Sequence, residues 1–221
     1  MQCGIFGKLP GKRDFVSYNI PRPFLNAWEN WLQAAIAESQ HAIGENWTRV
    51  FLTLPIWYFW CGPEVFGQAA AGAIMPSVDG VGRYFPLSIC AVDTSGEWPI
   101  PPHSGGLNLW LAACGRALLS QLDEGAEFDA SRILEQVGQP AGMRPIATPP
   151  DAGNIHIWSD GSNTLQSAFS TLADSDLTSA NYHRAIWWTS GSESQTAQLI
   201  TTRGPPQPSL WTTFMMGHIA T

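Results

Sequence analysis

The sequence predicts an α+β fold: one compact unit over residues 1–221, with a mostly antiparallel β-sheet packed by α-helices in a sandwich-like α/β/α arrangement. Three observations predict it. Strand-like runs adjoin one another across short turns rich in Pro, Ser, Asp and Gly, as antiparallel neighbours do. Two segments carry apolar residues at helical spacing over several turns. Hydrophobic residues make up 44% of the chain, ample for a core, and charged residues only 13%, where roughly 25% is usual.

The elements follow in order. Cys3–Gly7 reads as a short first strand. Pro21 to Phe24 open a helix in which Phe24, Leu25, Trp28, Trp31, Leu32, Ala35 and Ile36 share one face, and Gly44 is a residue type that ends helices. Arg49–Leu54 and Ile56–Cys61 read as strands, with Pro55 between them marking a bulge or an edge. Gln68–Met75 and Arg83–Val92 read as two more, joined by a turn within PSVDGVG. The stretch SGEWPIPPHSGG reads as loop. Leu107, Trp110, Leu111, Cys114, Leu118 and Leu122 mark a second amphipathic helix, and Asp129–Val137 a shorter one. Residues 138–154, dense in Pro and Gly, are either a long loop or a boundary between two sub-structures. Beyond them come a strand (Ile155–Ser159), a helix (Asn163–Leu172), a buried strand (Ala185–Thr189), another strand (Gln198–Thr202) and a last helix (Pro208–Met216).

The bulk properties exclude several functions. A net charge of −7, with no basic patch interleaved by aromatics, argues against nucleic acid, whose binding needs clustered Lys and Arg. Cys3, Cys61, Cys90 and Cys114 are irregularly spaced and lie in apolar runs, which predicts reduced, buried thiols and no zinc site. No basic segment followed by an apolar one opens the chain, and no apolar stretch reaches the ~20 residues that span a bilayer. A cytoplasmic protein without membrane insertion is expected. The 11 Trp read as core packing or, alternatively, as an interaction face.

The opening stretch MQCGIFGKLPGKRDFV tests a sharper idea, because Gly7-Lys8 and Gly11-Lys12 suggest a phosphate loop. That loop requires Gly, four residues, then Gly-Lys-Ser/Thr. Phe6 and Gln2 stand where the first Gly belongs, Leu9 and Arg13 follow the lysines, and Pro10 removes an amide donor. The stretch therefore reads as a strand and a shaped turn, its lysines solvated or in contact with a partner. His41, His103, His156, His183 and His218 never fall at metal-ligand spacing, so no metal or other cofactor is expected.

Ser77 and Asp79 could belong to a hydrolytic site, but Met-Pro-Ser-Val-Asp is no nucleophile elbow. Their side chains more naturally satisfy the backbone of their own turn. Arg83 enters an apolar strand, and Asp79 is its nearest carboxylate across the turn. The pair either pins the hairpin or leaves an Arg exposed for a partner's acidic or phosphorylated group. Asp14 could cap a turn or pair with Arg83 across the sheet.

Three segments together resemble a known family. They are Gly7-Lys8-Leu9-Pro10 with Asp14-Phe15-Val16; Met75 to Leu87 (MPSVDGVGRYFPL); and Ala185-Ile186-Trp187-Trp188-Thr189 with Gly204 to Pro208 (GPPQP). In this order they resemble the TagF (ImpM) family of type VI secretion-associated proteins. The resemblance implies a non-enzymatic, cytoplasmic, post-translational repressor of type VI secretion whose partner is a forkhead-associated scaffold protein. Lys8, Pro10, Arg13, Asp14, Ser77, Asp79 and Arg83 are then the candidate partner-binding residues. One departure is visible: Arg13 stands where the family has Gly before Asp-Phe-Val, which predicts a relaxed or strained turn there. Two alternatives remain at this stage: an enzyme acting on a phosphorylated protein through Ser77, Asp79 and Arg83, and a structural subunit of the secretion apparatus.

Overall fold

The computed structural model describes residues 1–99, 101, 106–123, 128–145, 173, 176–193 and 195–216. Its elements are β1 (Gln2–Gly7), β2 (Val16–Tyr18), α1 (Arg22–Ile43), α2 (Trp47–Leu52), β3 (Trp57–Cys61), α3 (Pro63–Phe66), β4 (Ala70–Met75) and β5 (Leu87–Val92). They continue with β6 (Glu97–Pro99), α4 (Asn108–Leu119), α5 (Ala130–Val137) and β7 (Met143–Pro145). A helical stretch over 176–182 (α6) leads into β8 (Arg184–Thr189), β9 (Gln198–Arg203) and α7 (Ser209–Met216). The predicted strand Ile155–Ser159 and the predicted helix Asn163–Leu172 lie outside the described residues, as do His103, His156 and His218.

Seven strands form one sheet in the order β2-β1-β5-β4-β3-β8-β9, every neighbouring pair antiparallel. The fold class is α+β, as the sequence predicts. Side chains alternate along each strand, so the sheet feeds two cores. On one face Trp57, Phe59, Ile74, Cys90 and Trp187 pack with Trp28, Trp31, Phe51, Trp211 and Phe214 from α1, α2 and α7. On the other, Ile5, Trp60, Ala73, Ile89 and Ile186 pack with Trp110, Leu111, Cys114 and Ile133 from α4 and α5. The strands on either side of residues 138–154 thus belong to one sheet.

Aromatic packing decides the first core. Trp28 is fully buried and lies 4.7 Å from Phe59 and 5.2 Å from Phe66, centroid to centroid. Its indole nitrogen donates to Ser88 Oγ at 3.2 Å. Buried Cys3, Cys61, Cys90 and Cys114 are all free thiols, and burial pushes Cys61 up to about 12, so it stays protonated and unreactive.

Two expectations need correction. Arg49–Leu54 is not a strand: Trp47–Leu52 is helical, and Trp47 and Phe51, one turn apart, stack at 4.7 Å on the core side. Tertiary burial of that pair overrides the strand-like content of Val50, Phe51 and Thr53. The loop SGEWPIPPHSGG contains β6, which pairs with β7 in a small second sheet. Strand β2 escaped notice because three half-exposed residues carry no periodicity.

Candidate functional site

The family-like motif residues converge where β1 ends and the β4–β5 connection begins. Gly7 closes β1 at a φ of +139°. A side chain there would collide with the backbone of Pro86 and Leu87, so only glycine lets β1 lie against the start of β5. The chain then delivers Lys8, which is 5% exposed, into the turn after β4. That turn runs from Val78 to Tyr84, which form a β-bridge, and Gly82 supplies its left-handed position at φ +86°.

Asp79 organises the turn. Its Oδ1 accepts from the amides of Val81 at 3.1 Å and Arg83 at 2.8 Å. Its Oδ2 accepts from Lys8 Nζ at 2.9 Å and Arg83 Nε at 2.7 Å. A carboxylate offers about four lone-pair sites, and all are used. Burial alone would raise the Asp79 carboxyl, but the Arg83 amide, the Lys8 ammonium, the Arg83 guanidinium and the Val81 amide outweigh it. They hold the group well below the usual carboxylate range.

The same residues stitch two loops together. Gly80 N donates to Lys12 O at 2.8 Å, and Arg83 Nη2 donates to the carbonyl oxygen of Arg13. Phe15 stacks on Phe6 at 5.6 Å and meets Phe85 edge-on at 4.8 Å, with Lys8 Nζ 5.0 Å above its ring. A cation over an aromatic face is attracted by the ring quadrupole. The arrangement is a knot of ion pair, amides and rings that fixes residues 8–15 against 77–85.

Each candidate residue has a definite place in or around that knot. Lys8, Asp79 and Arg83 meet in it. The Asp79–Arg83 pair is the one the turn spacing suggests, whereas Lys8, expected to be solvated or free for a partner, is buried and paired. Ser77 is buried, and its hydroxyl has no hydrogen-bond partner among the described residues, while its carbonyl accepts from Phe85 N at 3.0 Å. Pro10, Arg13 and Asp14 are exposed. Asp14 forms no ion pair with Arg83 among the described residues. Arg13 has no positive φ, so of the two expected outcomes, a relaxed or a strained turn, the strained one is absent; position 13 contributes a carbonyl, which any residue supplies.

Chemically, a fully occupied carboxylate held ionised is a weak base and an unavailable ligand. No group of three or more metal-ligating side chains occurs among the described residues, and no helix among them is long and apolar enough to cross a membrane. A second feature escaped the sequence reading: a cleft at the β8–β9 edge lined by Asp176, Ser179, Arg184, Thr201, Thr202 and Arg203. Strand pairing brings its two arginines opposite each other, and no spacing rule announces that.

The fold is that of an α/β/α protein, one antiparallel sheet with helices on both faces, and the knot ties its β1 and β4–β5 loops together. The family model of the TagF N-terminal domain, described as type VI secretion system-associated, matches residues 4–137; the chain belongs to the TagF family. It is similar to the crystal structure of PA0076 from Pseudomonas aeruginosa PAO1, solved at 2.05 Å resolution. The TM-score is 0.79 at 30% identity, covering 99% of this chain and 96% of that one. Comparison with curated proteins finds no match.

Proposed function

We propose that the chain is a non-enzymatic, cytoplasmic regulator that represses type VI secretion after translation by binding a forkhead-associated scaffold protein. Membership of the TagF family, whose N-terminal domain is type VI secretion system-associated, supports the pathway. The observation that carries the non-enzymatic reading is the saturation of Asp79: its lone pairs hold Lys8, Arg83 and two turn amides. A catalytic carboxylate needs an open lone pair and a pKa near its working pH, and this one has neither. Around the knot, Val81 and Phe15 are exposed apolar groups beside Lys12, Arg13 and Arg83, the mixture of apolar and basic groups that a protein partner covers.

The reading is tested by capture of the forkhead-associated scaffold on the purified chain, together with secretion assays in a deletion strain. Retention of the scaffold and increased secretion on deletion are expected. No retention and unchanged secretion would sink it.

A further inference from the structure

Strand β9 ends the sheet, with no strand beyond it among the described residues. Its hydrogen-bonding phase follows from the ladder. Gly204 N donates to His183 O, and on the other side of β8 Gly62 N donates to Arg184 O. In an antiparallel ladder bonded pairs alternate with non-bonded ones. The even-numbered residues of β9 therefore bond inward to β8, and the backbone groups of Leu199, Thr201 and Arg203 point out from the edge. The side chains of these residues are exposed too, Leu199 at 68%. Ile186 is buried against the α4–α5 layer while Thr201, its cross-strand neighbour, is exposed. Among the described residues the helical layer thus stops at β8.

Charge distinguishes this edge from an inert one. Arg184 and Arg203 lie opposite each other across the β8–β9 ladder and line a cleft of about 450 Å³ with Asp176, Ser179, Thr201 and Thr202. Neither arginine forms an ion pair among the described residues. Among the described residues Arg184 reaches Asn181 Oδ1, at 3.5 Å, and the buried hydroxyl of Thr202 has no hydrogen-bond partner. Against Asp176, the one acid among the described lining residues, stand two guanidiniums, in a chain of net charge −7. Arg forks match carboxylate and phosphate oxygens, and hydroxyls supply further donors.

We propose that the β9 edge binds an extended peptide as an added strand, with an anionic side chain of that peptide seated between Arg184 and Arg203. Backbone pairing to Leu199, Thr201 and Arg203 supplies affinity, and the arginine cleft selects the anion, the division of labour usual in strand addition. A second copy of the chain fits less well. Antiparallel self-pairing about Thr201 sets Arg203 against Leu199 and brings no carboxylate to either arginine.

The test uses fluorescence anisotropy with three degenerate peptide libraries of about ten residues, fixed at the centre as phosphothreonine, glutamate or glutamine. The two anionic libraries are expected to bind at least about tenfold more tightly than the glutamine library, their order separating phosphate from carboxylate. Inorganic phosphate competes with them. In R184Q/R203Q the preference disappears. Thr201→Pro removes one outward donor and leaves the ladder to β8 intact, which an edge strand tolerates. It is expected to lose peptide binding by about tenfold, while Thr201→Val retains it. If Thr201→Pro does not fold, the arginine variants decide. Equal binding of the three libraries, no binding in the millimolar range, or an unchanged preference in R184Q/R203Q overturns the proposal. So does a concentration-dependent dimer that Thr201→Pro abolishes. Each of those results leaves the regulatory reading to be scored separately by scaffold capture.

Discussion

Between β1 and β5, Lys8 and Arg83 both pair with Asp79 inside a turn; across β8 and β9, Arg184 and Arg203 face a cleft with neither held by a carboxylate among the described residues. The first region lies in the segment the TagF model matches, residues 4–137, and the second lies beyond it. The difference follows from burial. Lys8 and Asp79 are closed off from water, where an unpaired charge is costly, so their geometry is fixed by the need for partners. Arg203 is exposed and carries no such obligation, which leaves its charge free for a ligand. The residues that look most like a site in the sequence are thus occupied with holding the fold, and those that look free are scattered along strands.

The largest test of this contrast is Gly7→Ala. A side chain there meets backbone, not a movable group, and the φ of +139° is strained for any other residue. Loss of about 4 kcal/mol or failure to fold is expected in denaturant unfolding; a near-neutral result would mean that β1 and β5 do not approach as closely as described. Lys8→Ala comes next. It removes one charged hydrogen bond from a buried carboxylate that keeps Arg83, and a loss of about 1.5–3 kcal/mol is expected.

Acid sharpens the picture. Because the folded Asp79 carboxyl lies below its usual value, its contribution to stability is complete above pH ~4 and is lost as pH falls towards the folded pKa. Unfolding curves of the wild type and Asp79→Asn should therefore be well separated at neutral pH and draw together below pH ~4. A gap that stays constant with pH would remove Asp79 from the account. The smallest effect belongs to Arg203→Gln, expected to leave stability within about 0.5 kcal/mol of the wild type. A larger loss would make Arg203 a structural residue.

Much of this was legible in the sequence, for definable reasons. Helix α1 announced itself because Phe24, Trp28, Trp31, Leu32 and Ala35 lie on one face, and every one of them is buried. The Asp79–Arg83 pair was legible because a four-residue spacing in a turn leaves few other partners. Lys8 was not, since 71 positions separate it from Asp79 and only the β1–β5 pairing brings them together. Arg49–Leu54 misled because β-branched and aromatic residues dominate it, while what fixes it as helix is the burial of Trp47 and Phe51 one turn apart. The β9 edge was invisible for another reason: which strand ends a sheet is a property of strand order, and no residue in Gln198–Arg203 encodes it.

The central claim is that the motif charges support the fold and the β8–β9 charges do not. Denaturant unfolding of the wild type, Lys8→Ala and R184Q/R203Q under one set of conditions tests it directly. The account predicts that the Lys8→Ala midpoint falls clearly while that of R184Q/R203Q stays with the wild type. Coincident curves for Lys8→Ala and wild type, or a larger fall for the arginine variant, would contradict it.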